Sequence, residues 1–364
     1  MTRISPAPAL TRLAAPVRRV MRTLMQALNR SLGQRTWACV AAAAAATLAL
    51  AGCASPNPAG SAGGGAAGQA SGAGAQTAPR TGAATPAPAA QTARGPLYTF
   101  SKNGKTHTLY GTLHVGRPAW APDAGVQAAL ARATALAVEV DISQPMPIQF
   151  ALQRYALAND AQSATAGLPA DLVERLRAGA QQAGVPAMQT RMFKPWFLAN
   201  QLSMSAFARG GYLPTAGSEV FLLGAARQRR LPVLELESVD QQFALLDAMP
   251  RNVLREYVEQ ALLYAQGSGM PGDLQQLVAA WEQGDVNTLA AMVNTDPATA
   301  KASDRWLNEE LLLSRHPQMV QRIIELAGKE GSLMVAVGAL HLPGERGLIA
   351  LLQKAGFEVQ RVHR

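Results

Sequence analysis

The 364-residue chain carries 33 Lys and Arg against 24 Asp and Glu, a formal net charge of +9. That surplus is local: no acid precedes Asp123, and from there on 21 basic residues face all 24 acids, a net of −3. With no Lys/Arg stripe interleaved with aromatics, the balance argues against a nucleic-acid partner, and the cysteines at 39 and 53 leave no disulfide framework or thiolate metal site further on.

The first 35 residues hold seven Arg and no acid, Trp37 to Leu50 is a short apolar run rich in Ala, and Leu50-Ala51-Gly52-Cys53 follows. A basic region, a short apolar core and small residues before a cut site make a secretory signal, and the run is too short for a comfortable membrane span. The ending resembles the bacterial lipobox, which implies cleavage before Cys53, lipid attachment to it and a membrane partner. Ala54 after the cysteine points to the outer membrane, facing the periplasm. Residues 1–53 are thus expected to be a lipoprotein signal peptide. Residues 54–95 lack any large apolar side chain and are expected to form a disordered linker reaching about 35 Å as a flexible coil.

From Pro96 the pattern becomes that of a folded domain. Pro96–Phe100 and Thr106–Tyr110 read as strands joined at Lys102-Asn103-Gly104, whose Asn-Gly pair signals a hairpin. Asp123–Ala133 reads as a helix and Ala135–Asp141 as a buried strand with acids at its end. Apolar spacing of three and four predicts helices over Ala170–Ala180, Pro195–Ala208 and Ser218–Arg229. Leu231–Glu237 reads as a strand, and Ser238-Val239-Asp240-Gln241 as a capping box. Helices are expected over Arg251–Gln266, Asp273–Gln283, Val286–Val293 and Asp304–Leu326, the last broken near His316-Pro317. A strand at Leu333–Val337, a helix at Glu345–Lys354 and a strand at Phe357–Val362 close the chain as a unit typical of a parallel pair. The fold class is α/β: a single domain over 96–364, its sheet or sheets formed by N- and C-terminal segments and wrapped by a largely helical middle.

Two stretches echo each other, Leu109-Tyr110-Gly111-Thr112-Leu113-His114 and Ala336-Val337-Gly338-Ala339-Leu340-His341. Each is a strand pattern, a glycine, two residues and a histidine, with Gly and Pro following. Both histidines are expected just beyond a strand's carboxyl end, the edge at which open α/β sheets bind ligands. Each glycine permits close backbone approach or a positive φ. Glu139, inside an apolar run, is costly to bury unpaired. With His114 and His341 it makes a set suited to a divalent metal with open positions, or to metal-free acid–base hydrolysis. Arg315 is a candidate to orient Glu139 or bind an anionic group, and Glu237 a candidate base. These two, with Glu219 and Glu235, are weaker candidates than the first three. His107 and His363 look ordinary, and His316 reads as a helix boundary. No P-loop, G-x-G-x-x-G, G-x-S-x-G or H-E-x-x-H occurs.

These motifs, with Leu136-Ala137-Val138-Glu139-Val140-Asp141, Lys194-Pro195-Trp196, Pro232–Glu237 before Gln241-Gln242-Phe243, and His341-Leu342-Pro343-Gly344, resemble the TraB/GumN family over 96–364. That family is similar to the TIKI metalloproteases and, more distantly, to the erythromycin-esterase and ChaN haem-binding folds. The resemblance implies a metal-dependent hydrolytic site carried by His114, Glu139 and His341, acting on a peptide or protein. Mn, Co and Zn all suit such a ligand set. Arg315 stands where the family has an Arg, although His316 replaces the Asn that follows, and Glu219 stands where relatives have Asp. Two other readings stay open: a non-catalytic lipoprotein binding haem, metal or another ligand, and a metal-free esterase-like hydrolase.

Overall fold

A computed structural model describes residues 91–362 except Thr295 and Pro297. The expected signal peptide with Cys53, the linker up to residue 90, and His363 lie outside the described residues. The described chain opens earlier than the expected domain start at 96. Strand β1, Gln91–Ala93, lies within the stretch expected to be linker and pairs in parallel with β4, Trp120–Pro122.

Between them, β2 (Leu97–Lys102) and β3 (Lys105–Thr112) form the expected hairpin, with Lys102 opposite Lys105. Asn103 and Gly104 make its two-residue turn at φ of 51° and 75°, the positive pair that a hairpin's twist requires. Helix α1 (Ala124–Arg132) is capped by Asp123, whose carboxylate accepts from the Val126 amide at 2.9 Å. Strand β5 (Ala135–Val138) follows. The middle then runs through α2 (Pro145–Ala151), α3 (Ala170–Gln182), α4 (Ala187–Met192), α5 (Pro195–Arg209) and α6 (Ser218–Gln228). Strand β6 is Val233–Glu235, shorter than the expected Leu231–Glu237.

Helix α7 (Val239–Asp247) opens on the expected capping box: Ser238 Oγ accepts from the Gln241 amide, and Gln241 Oε1 accepts from the Ser238 amide. Helices α8 (Arg251–Gln266), α9 (Gly272–Gln283) and α10 (Val286–Val293) match their apolar spacing. The helix expected over Asp304–Leu326 is divided. It comprises α11 (Ala302–Trp306), a π-helical turn Leu307–Leu312, a 3-10 turn Leu313–Arg315, and α12 (His316–Lys329). Strand β7 (Leu333–Gly338), α13 (Leu348–Lys354) and β8 (Glu358–Arg361) close the chain.

The main sheet has the order β6-β5-β7-β3-β2-β8. Strands β6, β5, β7 and β3 are mutually parallel, and β2 runs antiparallel to both of its neighbours. The closing strand–helix–strand unit therefore carries β7 and β8 in the same direction, but with β3 and β2 between them rather than as the expected adjacent pair. The chain's two ends do share this sheet.

Alternation along the strands sorts the core into two layers. Tyr110, Leu136, Val138, Met334 and Ala336 join one buried cluster, and Leu109, Ala135, Ala137, Leu333, Val335 and Val337 another. Every second residue changes face, and both faces are covered, which is why these strands read as unbroken apolar runs. A third cluster fills the helical middle around Trp196, Phe197, Leu202 and Phe243.

Gly111 shows why one motif needs its glycine. A Cβ there would lie 2.6 Å from Pro96 Cγ, 2.8 Å from Leu342 Cδ1 and 3.0 Å from the Ala339 Cα. The reason is close approach of the second motif's turn, and not a positive φ. Trp281 Nε1 meanwhile donates to the Gly111 carbonyl at 2.8 Å in the buried interior. Because backbone cannot move aside as a flexible side chain does, Gly111→Ala is expected to destabilise the domain by about 1–3 kcal/mol, as overpacking does. A lowered urea midpoint at unchanged slope is the measurement that checks it.

Candidate functional site

Four neighbouring parallel strands deliver the site residues to one edge of the sheet. Glu139 lies one residue past β5, Glu237 two past β6, His114 two past β3, and His341 three past β7 in a 3-10 turn, Ala339–His341. Residues remote in sequence meet because the order β6-β5-β7-β3 puts their carboxyl ends side by side. The sequence-predicted His114, Glu139, His341, Glu237 and Arg315 are all brought together here.

Gly338 marks the convergence point. A Cβ on it would lie 3.2 Å from Glu139 Oε1, 3.4 Å from His341 Cδ2 and 3.8 Å from His114 Nε2. The second motif's glycine thus sits where all three groups converge, close enough that a side chain on it would crowd Glu139. Its own amide donates to Glu139 Oε1 at 2.6 Å.

Arg315 ties the acids. Its Nη2 donates to Glu139 Oε2 at 2.7 Å and to Glu237 Oε2 at 2.6 Å, and its Nε donates to Glu237 Oε1 at 3.0 Å. Nη1 donates back to the Leu311 carbonyl within the preceding π-helical turn. Gln242 Nε2 adds a contact of 3.1 Å to Glu237. All three charged side chains are buried, at 5–8 % exposure. Glu237 was the expected base, but both of its oxygens are engaged by Arg315, which makes it the residue that holds the guanidinium in place. Glu235, the last residue of β6, accepts from the Asp141 amide instead.

Each imidazole has a partner that sequence reasoning underrated. His114 Nδ1 lies 2.6 Å from Glu219 Oε1, at the start of α6. That helix end is pinned to the motif: the Leu113 amide donates to Ser218 Oγ at 2.8 Å, and the Ser218 amide donates to the Leu113 carbonyl at 3.0 Å. His341 Nδ1 lies 2.8 Å from His316 Nε2, and His316 Nδ1 lies 2.6 Å from the Arg346 carbonyl. His316 does open α12 as expected of a helix boundary, yet it is 1 % exposed and belongs to the site. The signal for it was the odd placement of a His beside Arg315 at a helix break.

The hydrogen-bond network assigns the tautomers. A carbonyl only accepts, so His316 Nδ1 carries the proton. Burial, reinforced by the facing His341, pushes the His316 pKa down to about 3, so this ring stays neutral and its Nε2 accepts from His341 Nδ1–H. His341 Nε2 then faces Glu139 Oε2 at 3.5 Å. A bare nitrogen lone pair opposite a carboxylate is repulsive, so this contact is favourable only with a cation, proton or metal ion, at Nε2. Glu219 likewise orients His114 so that its Nε2 is the outward atom, the arrangement in which carboxylate-backed histidines act as bases or ligands.

Three carboxylates, Glu139, Glu219 and Glu237, meet one guanidinium, Arg315, so with neutral imidazoles the buried cluster carries −2. The pKa directions follow. Burial favours neutral His114, but Glu219, with Glu139 behind it, outweighs burial and raises its pKa. Burial also penalises the Glu139 anion, but His341, Arg315 and His114 hold its carboxyl well below the usual carboxylate range.

A divalent cation fits this donor set in type and in charge. Among the described residues, however, no three His, Cys, Asp or Glu side chains stand arranged to hold one metal ion. The oxygens of Glu139, the third expected ligand, are occupied by the Gly338 amide and Arg315.

The profile of the TraB/PrgY/gumN family matches residues 96–361. Two relatives are similar to this chain, both described as uncharacterized protein YbaP. That of Shigella flexneri is 25% identical over 261 residues, 71% of this chain and 92% of its own length. That of Escherichia coli (strain K12) is 26% identical over 247 residues, 67% of this chain and 87% of its own. No solved structure matches.

Removing Arg315 leaves two carboxylates buried without a counter-charge. Arg315→Met is therefore expected to destabilise the metal-free domain by about 3–5 kcal/mol at pH 7. Glu139 has a depressed folded pKa, so its contribution is present above its unfolded pKa and is lost as pH falls through the folded value. In the variant the Glu139 carboxyl loses the guanidinium that lowers its pKa and protonates at higher pH, so the deficit should shrink between pH 7 and pH 4. Urea titrations at the two pH values check both the size and the trend.

Proposed function

The chain belongs to the TraB/PrgY/gumN family, and from that premise we propose that it is an envelope hydrolase that cleaves peptide bonds with a divalent cation held by His114 and His341 beside Glu139. The observation that carries this reading is the pair of Nε2 atoms, on His114 and His341, that converge beside Glu139, in a cluster that carries −2 when both imidazoles are neutral. A cation with two positive charges balances that cluster. When bound, it would polarise the scissile carbonyl and bring the pKa of a bound water to about 7.

The chain's own residues do the holding and aiming. Glu219 keeps the His114 Nδ1 proton and points Nε2 outward. The Arg346 carbonyl and His316 do the same for His341 through one more ring. Arg315 and the Gly338 amide lock the Glu139 carboxylate, and Glu237 and Gln242 lock Arg315. A ligand set fixed on both sides has little reorganisation left at the moment of reaction.

A groove of about 620 Å³ is lined by Asn294, Asn308, Glu309, Leu313, Pro343 and Arg346 among others, and Arg346 links it to the His316–His341 pair through its carbonyl, 2.6 Å from His316 Nδ1. Its size is that of a ligand pocket. No helix among the described residues is long and apolar enough to cross a membrane. We place the domain on the outer membrane, facing the periplasm, through a lipid on Cys53, on the strength of Leu50-Ala51-Gly52-Cys53.

Glu219→Gln removes the carboxylate behind His114 but keeps the shape. It is expected to weaken Mn²⁺ or Zn²⁺ binding by about 10–100-fold, and His341→Ala is expected to abolish it. Isothermal titration with each metal, and hydrolysis of labelled casein before and after chelation, are the measurements. Wild-type metal stoichiometry in His341→Ala rejects the ligand assignment, and turnover that survives exhaustive chelation rejects the metal.

A further inference from the structure

Thr112 is the last residue of β3, two before His114, and is 1 % exposed. Its hydroxyl oxygen is buried and has no hydrogen-bond partner. A buried hydroxyl without a partner costs free energy that an isosteric valine would not, so its presence calls for a reason.

The sheet register says where that hydroxyl sits. Thr112 pairs with Gly338 in the parallel β3–β7 ladder. Registered partners in a ladder present their side chains to the same face. On the Gly338 side that direction leads toward Glu139 Oε1, His341 Cδ2 and His114 Nε2. Thr112 therefore lies on the same face of the sheet as the point where these three groups converge, with no side chain on Gly338 between.

The site is rich in acceptors and its donors are committed. The Gly338 amide is spent on Glu139, the Arg315 nitrogens on Glu139, Glu237 and the Leu311 carbonyl, and Gln242 on the acids. A hydrolytic site needs a donor where negative charge develops on the substrate.

We propose that the Thr112 hydroxyl supplies it, donating a hydrogen bond to the carbonyl oxygen of the scissile peptide; this rests on the hydrolase reading above. Water gives a proton to the Glu139 carboxylate and adds to the carbonyl carbon, the π pair moves onto oxygen, and that oxygen meets Thr112 Oγ–H, which keeps its proton. On collapse the pair returns, the C–N bond breaks, and the amine departs with the proton that Glu139 held. Thr112 touches the reacting atoms and is in that sense a catalytic residue.

Thr112→Val and Thr112→Ser test it, with melting temperature of the metal-free protein and kcat and KM on fluorescently labelled casein as readouts. The expected result is an unchanged or higher melting temperature for Thr112→Val, because no bond is lost on folding. Its kcat should fall by about 10²-fold, the effect of losing one oxyanion donor, at nearly constant KM, and Thr112→Ser should keep most of the wild-type kcat. A Thr112→Val protein with wild-type kcat overturns the proposal, and so does one whose melting temperature drops, which would make the hydroxyl structural. Casein left uncut by the wild type with Mn²⁺, Co²⁺ and Zn²⁺ supplied in turn overturns the hydrolase reading and the Thr112 role with it, so the two failures are told apart.

Discussion

The guanidinium of Arg315 is the counter-charge on which the buried edge of this domain depends. Glu139 and Glu237 leave adjacent parallel strands and would repel each other in a medium that screens poorly. Arg315 bridges them with two of its nitrogens and returns the third to the carbonyl of Leu311. The strand pair β5–β6 and the end of the helical middle are thereby joined at one point. Such an ion triad is weak evidence for net stability, since desolvation offsets much of the attraction. What it does secure is position: carboxylates held from several sides keep one geometry.

The two Gly-x-x-His motifs are complementary rather than merely repeated. Both glycines stand where other segments approach closely: Gly111 admits the Pro96 ring and the Leu342 and Ala339 atoms of the second turn, and Gly338 sits against Glu139 and His341 with His114 Nε2 beyond. The β3–β7 pairing that brings Thr112 opposite Gly338 sets this approach. One backbone device used twice builds a single cleft because the two copies are neighbours in a parallel ladder and stop at the same level.

The layers around the sheet then decide what backs each imidazole. Glu219 comes from α6, whose Leu222 and Leu223 pack in the cluster that holds Tyr110 and Ala336. His316 opens α12, whose Met319 and Ile323 pack in the cluster that holds Leu109 and Val335. One histidine is supported from each side of the sheet. The π-helical turn at Leu307–Leu312 and the 3-10 turn after it break the helical repeat just ahead of Arg315 and His316, and irregular helical turns of this kind recur at functional sites.

Much of the fold was legible because its signals are local. Asn103-Gly104 names its own turn, Ser238 and Gln241 their own cap, and the apolar spacing of Arg251–Gln266 its own helix. The adjacency of β7 and β8 was misjudged because a strand–helix–strand pattern carries direction but not the number of strands spanned. Glu219 stood only as a weaker candidate and His316 as a helix boundary, because neither one's neighbours in sequence show which imidazole it backs. By itself, then, the sequence determined the α/β character, the two glycine–histidine turns, and Glu139 as an acid too costly to bury alone. Only the tertiary structure decided that Arg315 pairs with that acid and with Glu237, and that Glu219 and His316 back the imidazoles. Propensity and periodicity act over a few residues, whereas these pairings depend on strand order and on which helix packs on which face, and those emerge only when the whole chain is folded.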